Sequence, residues 1–220
     1  GSYLLISNHL SALDIILLEK IFFRLIAPLK FFVKRELLWL PIIGWVLCAL
    51  DYPAMYRYNK KQLRKNPALK GMDRITTQKA CQRFLNTPMT FVNFAEGTRY
   101  TPKRHALQKT PYHYVLKPKS GGISIMLSAL HQQFDGILDV TLIYPTLNVS
   151  TWVFLCGKYA NIKILVDVLP ITPDLIGAQQ DMDYRKHMQA WLDQRFAHKD
   201  SLIAEHLSQQ QKRSVENESK

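Results

Sequence analysis

Short apolar segments alternate along this chain with segments of helical periodicity. Strands are predicted at residues 3–7, 29–33, 89–94, 138–144 and 162–169. Apolar residues that recur every three or four positions predict helices at 11–23, 72–85, 122–134 and 181–206. Strands and helices that alternate in this way bury their apolar sides against each other. The pattern therefore predicts an α/β fold with a central mixed sheet flanked by helices.

The chain is predicted to form one domain over residues 1–207, followed by a polar tail at 208–220 that is predicted to be disordered. Its 220 residues suit a single core. Shorter elements are predicted within the domain: apolar helices at 36–40 and 42–50, and strands at 54–58 and 151–155. Residues 99–119, with six Lys+Arg and no acid, are predicted to form a long basic loop.

The positive charge is concentrated in the first half of the chain. The net charge is +12, but residues 1–119 hold 20 Lys+Arg and 6 Asp+Glu, whereas residues 120–220 hold 9 and 11. A basic half indicates an anionic partner, which could be a nucleic acid, an acidic lipid or a phosphorylated substrate. Residues 57–83 hold nine Lys+Arg against one acid, and form either a solvated face or a surface that docks on anionic lipid.

The sequence indicates neither a metal site nor a membrane span. Its three cysteines are widely spaced and lack the paired spacing of metal ligands. The apolar run at residues 37–50 is uncharged over 14 residues, whereas a helix that crosses a bilayer needs about 20. We therefore expect no metal and no bound cofactor, and a buried or interfacial place for this run.

The segment at residues 8–14 reads NHLSALD and lies between a predicted strand and a predicted helix. If His9 is in the loop and Asp14 in the first helical turn, the carboxylate can orient the imidazole, which can then accept a proton from a hydroxyl. The alternative is structural. Ser11 and Asp14 have the spacing of a helix capping box, which would account for both residues without catalysis.

A second polar segment, FAEGTR at residues 94–99, also follows a predicted strand and is expected at the same edge of the sheet as His9. Arg99 could contact a phosphate with two N–H groups, and Glu96 could orient a polyol or Arg99 itself. Alternatively the segment is an ordinary turn, in which Gly97 provides backbone freedom and the charges are solvated.

Together the two segments resemble the glycerolipid acyltransferase family, which includes the 1-acylglycerol-3-phosphate acyltransferases. A block between them, Lys34-x-Glu36-Leu37 followed by Pro41 and Gly44, is similar to the apolar segment after the second strand of that family. The resemblance covers about residues 3–169. It looks closest to a bacterial inner-membrane branch and to some eukaryotic endoplasmic-reticulum members.

The resemblance implies a glycerol-3-phosphate acyltransferase-like fold and a role for each motif residue. His9 would be the general base that deprotonates the acceptor hydroxyl, and Asp14 would orient it. The residues implied to bind the acceptor are Arg57, Glu96, Gly97, Thr98 and Arg99. The block around Arg57 lacks the usual glycine of the family. Ala95 and Tyr100 replace a common proline and a common serine, which bears on the identity of the acceptor head group.

The resemblance also implies the reaction. A fatty acyl group would move from acyl-CoA or acyl-carrier protein, as co-substrate, to the free hydroxyl of lysophosphatidic acid or another lysophospholipid, in phospholipid biosynthesis or remodelling. The expected location is the cytoplasmic face of the bacterial inner membrane, on an anionic membrane surface, with a membrane anchor before Gly1 missing from this chain.

A non-catalytic basic domain that binds lipid or nucleic acid is the alternative. The chain shows no helix-turn-helix, zinc or RNA-recognition signature, so no nucleic-acid partner is expected. It also has no Gly-x-Ser-x-Gly segment, which disfavours a serine nucleophile.

Overall fold

The computed structural model describes residues 1–55, 65, 72–147, 162–178 and 181–218. The strands in these ranges are β1 (Tyr3–Ser7), β2 (Leu29–Phe31), β3 (Val33–Lys34), β4 (Ala54–Met55), β5 (Thr90–Phe94), β6 (Gly136–Ile143) and β7 (Lys163–Leu169). The α-helices are α1 (Asp14–Phe22), α2 (Ile43–Ala49), α3 (Met72–Gln82), α4 (Pro102–Gln108), α5 (Gly121–Leu130) and α6 (Met182–Glu218). Short 3-10 helices occupy Arg35–Trp39, His131–Gln133 and Pro173–Leu175.

The main sheet has five strands in the order β2-β5-β1-β6-β7. β1 lies parallel to both β5 and β6, and β2 lies parallel to β5. β7 is antiparallel to β6. The predicted mixed sheet flanked by helices is therefore confirmed. β3 and β4 form a separate parallel pair beside the apolar segment at residues 35–50.

Helices cover both faces of the sheet, because successive side chains of a buried parallel strand point to opposite faces. On β1, Leu4 and Ile6 belong to one core cluster and Leu5 to the other. The first cluster includes residues of α3, α5 and α6, and the second includes Leu18 and Phe22 of α1. None of the helices in the described ranges is both long enough and apolar enough to cross a bilayer.

The sheet topology brings three chain segments to one edge. The carboxyl ends of parallel strands lie on the same side of a sheet, and functional residues often follow them. Ser7 at the end of β1 is in register with Phe94 at the end of β5. β6, on the other side of β1, ends at Ile143. Residues that directly follow these three strands are thereby placed close together.

Several predicted boundaries were wrong. Helix α1 begins at Asp14 rather than at Ser11. The predicted loop at 99–119 contains α4, and α6 continues to Glu218 rather than ending near residue 206. The strand predicted at 54–58 is described only as β4, and the strand predicted at 151–155 lies outside the described residues. The domain boundary at residue 207 stays a prediction.

Candidate active site

Asn8 fixes the loop that carries the first motif. Its side-chain amide donates to the Leu142 carbonyl at 2.9 Å, and its side-chain oxygen accepts from the Leu142 N–H at 2.8 Å. This fully buried side chain therefore continues the pairing of β1 with β6 by one step beyond Ser7. The next residue, His9, is held immediately above the sheet edge.

His9 and Asp14 form a hydrogen-bonded pair. His9 Nδ1 lies 2.8 Å from Asp14 Oδ2, with the imidazole 15% exposed and the carboxylate fully buried. When the imidazole carries its proton on Nδ1, that N–H donates a hydrogen bond to Asp14. The lone pair of Nε2 is then available to accept a proton. The Phe94 ring stacks on the imidazole, with centroids 4.0 Å apart and an angle of 16° between the planes. Phe94 thus fixes the plane of the imidazole, while Asp14 fixes the direction in which Nδ1 points within that plane.

Among the described residues, the Asp14 carboxylate has four hydrogen-bond partners. Oδ2 also accepts from the N–H groups of Leu10 at 2.8 Å and Ser11 at 3.0 Å. Oδ1 accepts from the Tyr144 hydroxyl at 2.5 Å. The contact with Ser11 N–H is one half of a capping box, but the Ser11 hydroxyl accepts from Leu13 N–H at 3.3 Å instead of completing it. The Asp14 carboxylate therefore both accepts from the backbone at the entry to α1 and orients His9, so the structural and the catalytic interpretations are compatible.

Glu96 connects the His9 loop to the loop at Leu116 through hydrogen bonds, a link that is called the Glu96 brace below. Its carboxylate is fully buried and accepts from the His9 N–H at 3.0 Å and from the Leu116 N–H at 3.2 Å. Burial raises the pKa of Glu96 to about 8, although the two N–H groups act in the opposite direction. A side chain without exposure and with both oxygens occupied does not face a substrate. This geometry differs from the acceptor contact expected for Glu96.

The rest of the second motif forms an open turn. Gly97 has φ +69°, a conformation that favours glycine, and Thr98 is half-buried. Arg99 is exposed, and its carbonyl accepts from Arg104 Nη1 at 3.1 Å. The exposed Lys119 pairs through its N–H with the Ala95 carbonyl, and its ammonium lies 3.6 Å from where a Cβ on Gly97 would be. Two cationic side chains therefore flank this turn.

The remaining expected ligands can be placed only in part. Arg57, the second arginine expected to bind phosphate, lies outside the described residues. Within the described ranges, no group of three or more His, Cys, Asp or Glu side chains is arranged to hold a metal ion.

The model of a protein family described as Acyltransferase matches residues 1–146 of the 220. The chain belongs to the acyltransferase family. The match includes His9, Asp14 and the turn at residues 96–99, whereas α6 lies beyond it.

Curated relatives of this acyltransferase are similar over most of the chain. Mouse 1-acyl-sn-glycerol-3-phosphate acyltransferase epsilon is 25% identical over 227 aligned residues, which cover 91% of this chain and 56% of the relative. The mouse gamma enzyme is 27% identical and the human gamma enzyme 26% identical, each over 82% of this chain and 46% of the relative. The chain thus spans about half the length of these relatives.

The sequence assigns no individual role to two residues that lie at the candidate site. Tyr144 lies 130 residues from Asp14, and Lys119 lies in the stretch predicted to be a basic loop. No spacing rule connects either residue to a motif, because both contacts depend on which strands are neighbours. If the register of β1 against β6 were known, the sequence would place Tyr144 close to the site, because Asn8 pairs with Leu142 two residues before it.

Proposed function

We propose that this chain transfers a fatty acyl group from a thioester donor, acyl-CoA or acyl-carrier protein, to the free hydroxyl of lysophosphatidic acid or another lysophospholipid. The observation that carries the proposal is the His9–Asp14 pair, a partly exposed imidazole oriented by a buried carboxylate. Membership of the acyltransferase family supports the reaction class. The names of the mouse and human relatives support 1-acyl-sn-glycerol 3-phosphate as the acceptor.

In the proposed reaction His9 is a general base. Nε2 takes the proton of the acceptor hydroxyl as its oxygen attacks the thioester carbonyl carbon. Asp14 stabilises the imidazolium through Nδ1, which holds a proton throughout. When the tetrahedral intermediate collapses, the C–S bond breaks and His9 returns the proton to the departing thiolate. The products are an ester and a free thiol, and the enzyme is regenerated without a covalent intermediate.

The turn at residues 96–99 is proposed to bind the acceptor phosphate. Arg99 offers two parallel N–H donors of the kind that fit a phosphate. Neither Arg99 nor Lys119 makes an ion pair with a carboxylate in the described part of the chain, so both charges are available to an anion. Gly97 and Thr98 form the turn between them, and Arg57 is proposed as a further phosphate ligand. Glu96 is proposed to hold this turn against His9 rather than to touch the acceptor.

We also propose that the protein docks on an anionic membrane surface. Trp39 and Trp45, at the apolar segment of residues 35–50, are 82% and 78% exposed, and Ile42 between them is 73% exposed. Exposed apolar clusters of this kind mark interaction sites, and tryptophan favours the lipid–water interface. The basic first half of the chain would be attracted to anionic lipid. The resemblance to a bacterial branch supports the cytoplasmic face of the inner membrane as the location.

Transfer of a labelled acyl group tests the proposed reaction directly. The purified chain is incubated with radiolabelled acyl-CoA, or with acyl-carrier protein, and a panel of lysophospholipids, with glycerol 3-phosphate as a control acceptor. We expect labelled diacyl product with at least one lysophospholipid, and less product with the control. Folded protein that acylates no acceptor from either donor, yet binds lipid or RNA, would support the non-catalytic alternative instead.

A further inference from the structure

Tyr144 reaches the His9–Asp14 pair from the end of β6, a strand that carries neither of the two polar motifs. It directly follows β6, is 2% exposed, and donates its hydroxyl proton to Asp14 Oδ1 at 2.5 Å. The motif itself occupies the other oxygen, because His9, Leu10 and Ser11 all contact Oδ2. Of the hydrogen bonds described to this carboxylate, the bond from Tyr144 is therefore the one that holds Oδ1.

Two fixed oxygens determine the plane of a carboxylate. Rotation about the Cβ–Cγ bond moves both oxygens and would swing the acceptor lone pairs away from Nδ1. The donors on Oδ2 restrain this rotation from the motif side, and the Tyr144 hydroxyl adds a restraint on Oδ1 from a different strand and occupies a buried charged oxygen. Because the Tyr144 side chain is buried, its hydroxyl does not contact a substrate. Its effect on the reaction has to pass through Asp14.

We propose that Tyr144 is a positioning residue for acyl transfer, which holds the Asp14 carboxylate in the orientation that orients His9. The inference rests on the proposed function, since it assigns a role within that reaction. Tyr144, Asp14 and His9 then form a chain of three side chains in which only His9 meets the substrates.

Tyr144→Phe removes the hydroxyl and keeps the ring. We expect kcat to fall about 10-fold or more, with the Michaelis constants of acceptor and donor unchanged within about 2-fold, because only the base is misoriented. Tyr184→Phe is the matched control. Its hydroxyl is also buried and donates to the Leu175 carbonyl at 3.1 Å, but it belongs to the core cluster on the other face of the sheet. We expect this control to keep its kcat.

A double-mutant cycle tests whether Tyr144 acts through Asp14. In an Asp14→Asn background, Tyr144→Phe should lower kcat much less than it does in the wild-type protein, because the carboxylate that it positions is gone. If Tyr144→Phe lowers kcat by the same factor in the Asp14→Asn background as in the wild-type protein, the two residues act independently and the assignment is overturned.

A tyrosine analogue keeps the test valid if Tyr144→Phe does not fold. Replacing Tyr144 with a ring-fluorinated tyrosine changes the acidity of the hydroxyl with almost no change in packing. We expect kcat to change with that acidity, while the Michaelis constants stay constant. A kcat that is indifferent to the analogue would overturn the proposal.

The two proposals fail in different ways. If the wild-type chain transfers no acyl group, the proposed function fails. If the wild-type chain is active and Tyr144→Phe has the kcat of Tyr184→Phe, only the positioning role fails, and the function stands.

Discussion

At the scale of the residue, one buried carboxylate combines two duties. Asp14 receives N–H groups from Leu10 and Ser11, which shape the entry to α1, and it also holds His9 and Tyr144. Removing such a group affects the stability of the loop and the orientation of the imidazole together. The two effects can be separated only by a substitution that preserves the shape of the side chain.

Asp14→Asn is such a substitution. The amide retains one oxygen that can accept from the backbone, but it carries no charge and favours the wrong imidazole tautomer. We expect kcat to fall about 10²-fold or more while the far-ultraviolet circular dichroism stays that of the wild-type protein. If the melting temperature falls but kcat is retained, Asp14 is only a structural residue of the helix entry.

Glu96 predicts a pH dependence of stability. Its pKa is raised from its ordinary value of 4.5 to about 8 in the folded protein, so between these values the folded state holds a proton that the unfolded state has released. The free energy of unfolding therefore decreases as pH rises through this range, and the penalty is complete above about pH 8. Chemical denaturation of wild type and Glu96→Gln at several pH values measures it. We expect a smaller decrease in the variant, and parallel curves would contradict the pKa shift.

Sequence reasoning identified the chemical groups of this site but not all of their roles. The expected meeting of His9 with Asp14 needed only a loop residue and a residue of the first helical turn, which are local features. The brace from Glu96 to Leu116 and the hydrogen bond from Tyr144 are non-local. They depend on how the strands are ordered and on which loop folds back over the edge, and neither follows from residue spacing.

At the scale of the element, α6 holds the loop that supports Glu96. The Asp200 carboxylate accepts from the His113 N–H at 3.0 Å and from the Tyr114 N–H at 2.6 Å. The same helix is tied to β6 by Lys199, whose buried ammonium lies 2.5 Å from Asp139 Oδ1. Helix α6 lies outside the residues that match the family model. It nevertheless stabilises the loop whose Leu116 N–H donates to the Glu96 carboxylate.

Asp200→Ala should loosen that loop. Two N–H donors lose their acceptor, so we expect a loss of about 1–3 kcal/mol in the free energy of unfolding. Amide hydrogen exchange at His113 and Tyr114 should accelerate more than exchange in β1. Asp183→Ala on the same helix is the control, because its side chain is 91% exposed. Unchanged exchange at His113 and Tyr114 in Asp200→Ala would show that α6 does not hold the loop.

Helix α4 begins at a proline, within a stretch that the sequence predicts to be a loop. Three prolines favoured a loop at 99–119, but Pro102 occupies the start of α4, where proline is well tolerated. The Thr101 side chain caps the helix by accepting from Arg104 N–H at 3.2 Å. The sheet is easier to predict, because β1, β5 and β6 are mostly apolar, even though Asn93 lies within β5 and Asp139 within β6.

At the scale of the whole molecule, the excess of positive charge and the two exposed tryptophans Trp39 and Trp45 both lie in the first half of the chain. Residues 1–119 hold the excess of Lys+Arg, and the exposed Trp39 and Trp45 belong to the same half. Electrostatic attraction weakens with salt, whereas burial of apolar surface does not depend on screening. The two contributions to membrane docking can therefore be measured separately.

Vesicle sedimentation across a salt series makes this separation. We expect binding to vesicles with anionic lipid to weaken as the Debye length falls from about 10 Å at 0.1 M salt to about 3 Å at 1 M. The double variant Trp39→Ala, Trp45→Ala should lose the part of the vesicle binding that persists at high salt. Val168→Ala, at a side chain 69% exposed on β7, is the control and should bind as wild type does. Equally poor binding to vesicles with and without anionic lipid would contradict the docking proposal.

The turnover of His9→Ala tests the central claim most directly. The rate of acyl transfer from labelled acyl-CoA to lysophosphatidic acid is compared among wild type, His9→Ala and His131→Ala. His131, half-buried at the end of α5 and bonded to the Leu127 carbonyl, is the control. We expect His9→Ala to fold as wild type does and to lose about 10³-fold in kcat, within the range that a positioned base contributes, while His131→Ala keeps its rate. A folded His9→Ala with the rate of the wild type would show that His9 is not the base.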